Sequence, residues 1–183
     1  FRFVAEESIQ NAMGFNNDGA TKIAQRIKEI YPFKIPIAIN LGKNKTAEDA
    51  LKNYEENLKT FENLGDFYVF NVSSPNTPNL RDLQNEEFVK ELFAMARKHT
   101  DKPLFLKVCP DNQIQNTLKV CQSAIDGGAN GIVATNTTMD YSLVQSPKSI
   151  GGISGRALRN KSREVFYEIA KAFFGKATLI SVG

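Results

Sequence analysis

The sequence predicts an α/β fold in which a parallel β-sheet is covered by helices. Short apolar runs alternate with longer segments of helical periodicity along the 183 residues. The short runs are apolar at consecutive positions, which is typical of strands buried on both faces. Apolar residues make up 42% of the chain, enough to form a core, so we expect a folded domain.

Five strands are predicted, each separated from the next by a helix. The strands are expected at 37–41, 67–72, 103–108, 131–134 and 178–182. The helices are expected at 20–30, 47–64, 85–100, 113–126 and 162–174, with Thr46 at the amino-terminal cap of the second. An apolar piece and a helical turn are expected before residue 11, and loops at 11–19 and at the glycine-rich stretch 151–155.

The number of strands favours part of a TIM (β/α)8 barrel. Such a barrel has eight strand–helix units and typically about 250 residues. About five units in 183 residues suggest a partial barrel that forms one domain over 1–183, and a complete doubly wound sheet is the alternative. Both ends of the chain look cut, so we expect this segment alone to be inactive and prone to aggregate through its open sheet edges.

Composition excludes several classes of function. The net charge is only +3, and lysine and arginine are interspersed with acidic residues, so no basic stripe predicts nucleic-acid binding. Cys109 and Cys121 are expected to be reduced thiols, and His99 a structural residue at a helix end. The sequence has no cluster of metal ligands. No apolar run approaches the ~20 residues that cross a bilayer.

The candidate site is centred on the loop 71–78, which reads Asn-Val-Ser-Ser-Pro-Asn-Thr-Pro and follows a predicted strand. Pro75 and Pro78 fix their φ angles and remove two backbone donors, so neither a strand nor a helix continues through the loop. Loops at the carboxyl ends of parallel strands are where α/β folds bind ligands. A proline-stiffened turn with serine caps is the structural alternative.

Other predicted strands also end in polar residues, namely Asn40, Lys107 and the pair Thr135 and Asn136. Lys107 lies within an apolar run, so its ammonium group is expected to pair with an anion or an electron-rich acceptor, and a lysine at a strand edge is the alternative. The glycines of 151–155 offer N–H groups to a phosphate. No acidic residue or histidine is placed to act as a base at the strand ends, so a base there would be a hydroxyl or a thiol.

These segments together resemble the dihydroorotate dehydrogenase family, in particular its quinone-dependent, membrane-associated class. The matching stretches follow the family order and are 11–17, 40–45, 71–78, 107–111, 134–138 and 151–156. The resemblance implies strands three to seven of the family barrel. It also implies oxidation of dihydroorotate to orotate in pyrimidine synthesis, with FMN taking the hydride and a quinone accepting the electrons.

The resemblance assigns roles to particular residues. Ser74 would be the base that removes the C5 proton, where the soluble classes have cysteine, and Thr77 and Phe15 would border the proton path. The substrate would be held by Asn11, Ala12, Met13, Gly14, Phe15, Asn71, Asn76, Asn136 and Thr137. FMN would contact Asn40, Asn71, Lys107, Thr135, Gly155 and Gly183. Lys107 beside N1 and the C2 carbonyl would offset negative charge on reduced flavin.

The resemblance leaves three matters open. Asn79 stands where the family often has glycine, and we expect a small effect because asparagine tolerates positive φ. The quinone and a peripheral position on the cytoplasmic side of a membrane are implied by the family alone, since no residue of this segment argues for them. The alternatives are a flavin-free, non-catalytic barrel fragment and a related flavin barrel that acts on another dihydropyrimidine.

Overall fold

The computed structural model describes residues 1–77 and 80–182. The strands are β1 (Arg2–Phe3), β2 (Ser8–Asn11), β3 (Ala38–Gly42), β4 (Phe67–Asn71), β5 (Leu104–Val108), β6 (Gly131–Ala134), β7 (Gly152–Gly155) and β8 (Thr178–Ser181). The α-helices are α1 (Ala20–Ile30), α2 (Ala50–Thr60), α3 (Glu86–Arg97), α4 (Ile114–Asp126) and α5 (Arg159–Phe173). Short 3₁₀ helices cover Arg81–Leu83, Tyr141–Leu143 and Arg156–Leu158.

Five of these strands form the parallel sheet that the sequence predicts. Their order, β3-β4-β5-β6-β8, follows the chain, and every neighbouring pair is parallel. In a doubly wound sheet the strand order reverses at a switch point, so helices cover both faces. When each strand lies beside the one before it in the chain, right-handed crossovers place all the helices on one face. The strand order therefore agrees with part of a barrel.

The two faces of this sheet differ in what covers them. The helix-covered face carries the main core, in which the ring of Phe70 lies 5.8 Å from Tyr54 and 5.3 Å from Phe93. Alternate residues of the same strands point to the other face, where Val69, Phe105 and Val133 form a second, smaller cluster. By the same alternation, Asn40, Asn71 and Lys107 belong to this inner face.

Helix α2 begins later than the sequence predicts. Asp49, and not Thr46, is its amino-terminal cap, and the Asp49 carboxylate accepts a hydrogen bond of 2.9 Å from the backbone N–H of Lys52. Aspartate caps satisfy an N–H that no helical carbonyl can reach. Just after the carboxyl end of α3, the side chain of His99 pairs with Glu55 of α2 at 2.8 Å. This contact between two helices agrees with the structural role predicted for His99.

Before residue 12 the chain forms β1 and β2, joined by a turn at 4–7, and the glycine-rich stretch forms β7, so the predicted loop at 151–155 is wrong. β1, β2 and β7 form an antiparallel sheet in which Ser8 pairs with Gly155 and Asn11 with Gly152. A side chain on Gly152 would collide with Thr137, because its Cβ would lie 2.0 Å from Thr137 Oγ1. This sheet therefore packs directly against the loop that follows β6 and brings the residues after β2 to the site.

Among residues 1–77 and 80–182, no helix is long and apolar enough to cross a membrane. The same residues contain no cluster of side chains suited to a metal ion. Cys109 and Cys121 are both free and buried.

Candidate functional site

The loops after β2, β4 and β6 enclose a small polar cleft of about 130 Å³. Its lining residues are Asn11, Met13, Gly14, Phe15, Ser74, Pro75, Asn76, Asn136 and Thr137. Sites for drug-sized ligands usually exceed ~300 Å³. The cleft therefore suits a small polar molecule.

Ser74 is buried in this cleft, with 4% of its surface exposed. Its Oγ accepts a hydrogen bond of 3.2 Å from the backbone N–H of Asn76. The Asn76 side chain reaches across the cleft, and its Nδ2 donates to the carbonyl of Asn11 at 3.4 Å. Asn76 Oδ1 is buried and has no hydrogen-bond partner among the described residues. A buried acceptor without a partner is suited to accept a hydrogen bond from an N–H group of a ligand.

The side chains of Asn71 and Ser73 behind the cleft and of Asn136 in its lining form a hydrogen-bonded chain that the sequence did not reveal. Asn71 Oδ1 accepts from Ser73 Oγ at 2.9 Å and from Ser73 N at 3.2 Å. Asn136 Nδ2 donates to Ser73 Oγ at 2.9 Å and to Asn71 Oδ1 at 3.3 Å. Tyr54 holds the strand end by donating to the Asn71 carbonyl at 3.0 Å. Ser73 thus orients the side-chain amides of Asn71 and Asn136. In the sequence, the only indication of this role was the position of Ser73 next to Ser74.

Next to this chain, Lys107 lies on the inner face of the sheet. Asn71 and Lys107 are direct partners in the β4–β5 register. Burial lowers the pKa of the Lys107 ammonium group, and no carboxylate of the described residues offsets that effect. Thr135 Oγ1, just after β6, is buried and also lacks a partner among the described residues. A half-buried cation and a buried hydroxyl at neighbouring strand ends suit a polar group with anionic character.

Among the groups that line the cleft, Ser74 is best suited to accept a proton. Both thiols lie elsewhere: Cys109 Sγ accepts a hydrogen bond from Gln84 Nε2 at 3.3 Å, and burial within α4 raises the pKa of Cys121 to about 12. Thr137 also lines the cleft, but its Oγ1 packs against Gly152. The prediction of a hydroxyl or thiol base therefore reduces to a hydroxyl.

One acidic residue, Asp111, lies just beyond the strand ends. Asp111 follows β5 by a few residues and forms an ion pair of 2.6 Å with Arg81 and one of 2.9 Å with Lys161. Burial raises the pKa of Asp111, but hydrogen bonds from Thr138, Lys161, the Met139 N–H and Arg81 outweigh it and hold the pKa below its usual value. This carboxylate is ionised and saturated with donors, so it is unsuited to act as a base.

Not every predicted site residue reaches the small cleft. Ala12 and Thr77 do not line it, although Thr77 Oγ1 is buried without a partner among the described residues. Gly155 ends β7 opposite Ser8, with φ 95°, and a Cβ there would lie 2.6 Å from the carbonyl of Glu7. The predicted contact at Gly183 lies outside the described residues, as do Pro78 and Asn79.

Asn40 lines a second, larger cleft of about 680 Å³ between α1 and β3. Most of its other lining residues are apolar, including Ile23, Ile27 and Phe61. Size alone would favour this cleft as a binding site. We assign the chemistry to the smaller cleft because only that one combines a buried hydroxyl with several amide side chains.

Comparison with known proteins identifies relatives along the entire chain. The family model described as "Dihydroorotate dehydrogenase" matches residues 1–183. The "Dihydroorotate dehydrogenase (quinone)" of Helicobacter acinonychis (strain Sheeba) is 58% identical and covers 100% of this chain, which corresponds to 53% of that protein. The protein of the same name from a Nitratiruptor species is 52% identical with the same coverage. The chain thus spans about half the length of the curated relatives it matches.

A solved structure has the same fold. The crystal structure of DHODH from Eimeria tenella in complex with ferulenol matches with a TM-score of 0.91 and 26% identity. The match covers 100% of this chain and 58% of that chain. The ligand-free form from the same organism matches with a TM-score of 0.89.

Proposed function

This chain belongs to the dihydroorotate dehydrogenase family, and from that premise we propose that it supplies the base and the substrate-reading amides for oxidation of dihydroorotate to orotate. The observation that carries the proposal is Ser74, buried in a small cleft among asparagine side chains. The relatives carry a quinone in their names, and we propose a quinone as the electron acceptor here. A position at the cytoplasmic surface of a membrane stays a prediction.

The residues of the inner sheet face fit FMN as the cofactor. Lys107 offers a half-buried cation and Thr135 a buried hydroxyl without a partner among the described residues. Asn71 is adjacent to Lys107, and its Nδ2 is not used in the contacts with Ser73. Asn40 and Gly155, together with Gly183, belong to the same proposal. The chemistry that bound FMN would supply is acceptance of the hydride from C6 of the substrate.

Recognition of the substrate rests on amide side chains. Dihydroorotate is a ring with alternating N–H and C=O groups, and asparagine can both donate and accept. Asn76 offers a buried acceptor without a partner among the described residues, and Asn136 lines the same cleft with its orientation fixed by Ser73. The backbone and side chains of 11–15, with Thr137, complete the set that we propose to hold the ring and its carboxylate.

The chemical step breaks two C–H bonds. Ser74 Oγ takes the proton from C5, and the electron pair of that bond forms the C5=C6 double bond as the hydride leaves C6. A serine hydroxyl is a weak base at neutral pH, so its own proton must leave Oγ as the C5 proton arrives, and the negative charge that develops on Oγ needs support. The Asn76 N–H already donates to Oγ at 3.2 Å and supplies part of it. Thr77 and Phe15 are proposed to border the path by which the proton leaves.

The decisive variant is Ser74→Ala in the holoenzyme. Because a positioned base contributes ~10²–10⁴-fold, we expect the rate of flavin reduction by dihydroorotate to fall by at least 100-fold. FMN should remain bound, since Ser74 acts on the substrate. Stopped-flow absorbance under anaerobic conditions measures the rate, and the exposed Ser149→Ala is the matched control. A near-normal rate in Ser74→Ala would remove the serine from its role.

The choice of substrate is tested separately. The same amides could read another dihydropyrimidine ring, so dihydrouracil is compared with dihydroorotate in the same assay. Equal bleaching of the flavin by both compounds would favour a related flavin barrel. Purified protein without flavin absorbance would favour the non-catalytic alternative.

A further inference from the structure

Arg81, Asp111 and Lys161 form a charged cluster that the proposed chemistry does not use. The side chains of Arg81 and Asp111 are 17% and 18% exposed, and that of Lys161 is 30% exposed. Isolated pairs on a protein surface contribute little, but a cluster held this far from solvent has a defined geometry. What the cluster touches is therefore informative.

Arg81 connects two loops that carry site residues. Its Nε donates to the carbonyl of Ser73 at 3.1 Å, and its Nη2 donates to the carbonyl of Thr137 at 2.9 Å. Its third contact, from Nη1 to Asp111 Oδ2, is 2.6 Å. A planar guanidinium group fixes the directions of its donors, so one rigid group sets the separation of the two backbones.

Asp111 in turn is fixed from several sides. Its Oδ2 accepts from the Met139 N–H at 2.8 Å, and its Oδ1 accepts from the Thr138 hydroxyl. Lys161 on α5 pairs with Oδ1 at 2.9 Å. The carboxylate therefore links the loop after β5, the loop after β6, helix α5 and Arg81.

We propose that Asp111 and Arg81 are positioning residues that hold the proton-accepting Ser74 at a fixed distance from the substrate-binding residues Asn136 and Thr137. This inference rests on the proposed function for the identity of the base and of the residues that hold the substrate. Arg81 bonds the residue immediately before Ser74 and the residue immediately after Asn136. Neither charged residue lines the cleft, so they act through the two loops and do not touch the substrate.

The expected kinetic effect follows from the distance dependence of catalysis. A displacement of about 1 Å at the reacting groups can lower a rate by about 100-fold. Loss of the Arg81 bridge should therefore slow flavin reduction and raise the KM for dihydroorotate. FMN affinity should change little, because Lys107 and Thr135 lie outside the bridge.

The first variant is Asp111→Asn in the holoenzyme, which keeps the size of the side chain and removes its charge. We expect flavin reduction to slow by about 10–100-fold. Asp111→Glu restores the charge and should recover part of the rate. The exposed neighbour Asp82→Asn is the matched control and should leave the rate unchanged. A wild-type rate and KM in Asp111→Asn with FMN bound would overturn the proposal.

The second variant is Arg81→Lys, which keeps the charge but lacks the forked donors. It should lose the bridge to Ser73 and Thr137 and slow reduction to a similar extent. Since both residues serve one bridge, the double variant should be no slower than the more affected single variant. Additive losses in the double variant would contradict a shared role. Loss of FMN from both single variants would also overturn the proposal, because the cluster would then support the whole fold.

Amide hydrogen exchange tests the bridge without any turnover. In Asp111→Asn, peptides covering 72–77 and 135–138 should exchange at least tenfold faster, whereas Asp82→Asn should match the wild type. If wild-type protein bleaches no flavin with dihydroorotate but the exchange changes as stated, the proposed function fails and the bridge stands. Unchanged exchange in both peptides would contradict the proposed bridge, whatever the activity of the protein.

Discussion

Lys107 and Lys161 are both shielded from solvent, but the protein treats them differently. Lys107, on the inner face of the sheet, has no carboxylate partner among the described residues, and burial lowers its pKa. Around Lys161, burial also lowers the pKa, but Asp111 at 2.9 Å and Asp140 at 3.4 Å outweigh it, so the pKa is raised. The charge of Lys161 is used within the protein, whereas that of Lys107 is available to a ligand.

Two threonines near the end of β6 repeat the contrast. Thr135 Oγ1 is buried without a partner among the described residues. Thr138 Oγ1 donates to Asp111 and accepts from the Asp140 N–H at 3.0 Å and from Lys161 at 3.3 Å. Because an unpaired buried polar group costs about 1–3 kcal/mol, its presence indicates a region built to bind something. Polar groups such as the Thr138 hydroxyl, which are hydrogen-bonded within the protein, belong to the structure that supports that region.

Substitution of the two lysines should give the largest difference between the proposed binding region and the structure that supports it. We expect Lys107→Met to weaken FMN binding by at least tenfold, because the cation proposed to face the cofactor is lost. Lys161→Met should leave FMN affinity nearly unchanged and lower the thermal stability, since Asp111 and Asp140 lose a partner. Titration of the apoprotein with FMN by fluorescence, together with thermal melts, measures both. Equal FMN affinity in Lys107→Met and wild type would make Lys107 a strand-edge lysine without a role in binding.

The sequence predicted the parallel sheet and the loop of Ser74 because both leave local signals. Consecutive apolar residues identify a doubly buried strand, and Pro75 interrupts it at once. The antiparallel sheet left no such signal. β2 pairs with β7, which lies more than a hundred residues along the chain, and the glycines of β7 are there for close contacts that only the folded structure reveals.

The supporting residues were missed for a related reason. Asp111 lies within a stretch that matches the family, but its role depends on Arg81, Lys161 and Thr138, which come from three other segments. Its position just beyond β5, at the same end of the sheet as Lys107, was the signal that could have found it. Ser73 was overlooked because its neighbour Ser74 explained the loop without it.

A smaller effect should distinguish the two threonines. Thr135→Val replaces an unpaired hydroxyl with a methyl group of similar size, so we expect the apoprotein to keep or slightly gain stability while FMN binds more weakly. Thr138→Val removes a donor from a buried carboxylate and should cost about 1–3 kcal/mol. Chemical denaturation of the apoprotein measures the stability, and FMN titration measures the binding. A Thr135→Val protein as destabilised as Thr138→Val would show that both hydroxyls serve the fold.

The smallest effect should appear in the pH dependence of stability. Asp111 has a folded-state pKa below its usual 3.8, so its contribution is fully present above pH 3.8 and is lost as the pH falls toward the folded value. The stability difference between wild type and Asp111→Asn should therefore be constant near neutrality and shrink in acid.

Lys107 has the opposite dependence: its pKa lies below 10.5, so burial of its charge costs stability at neutral pH, and that cost fades as the pH rises toward 10.5. Thermal melts of apoprotein across pH measure both, with Lys107→Met expected to lose its advantage over wild type only in alkali. A Lys107→Met difference that shrinks in acid would mean that Lys107, like Lys161, is paired with a carboxylate.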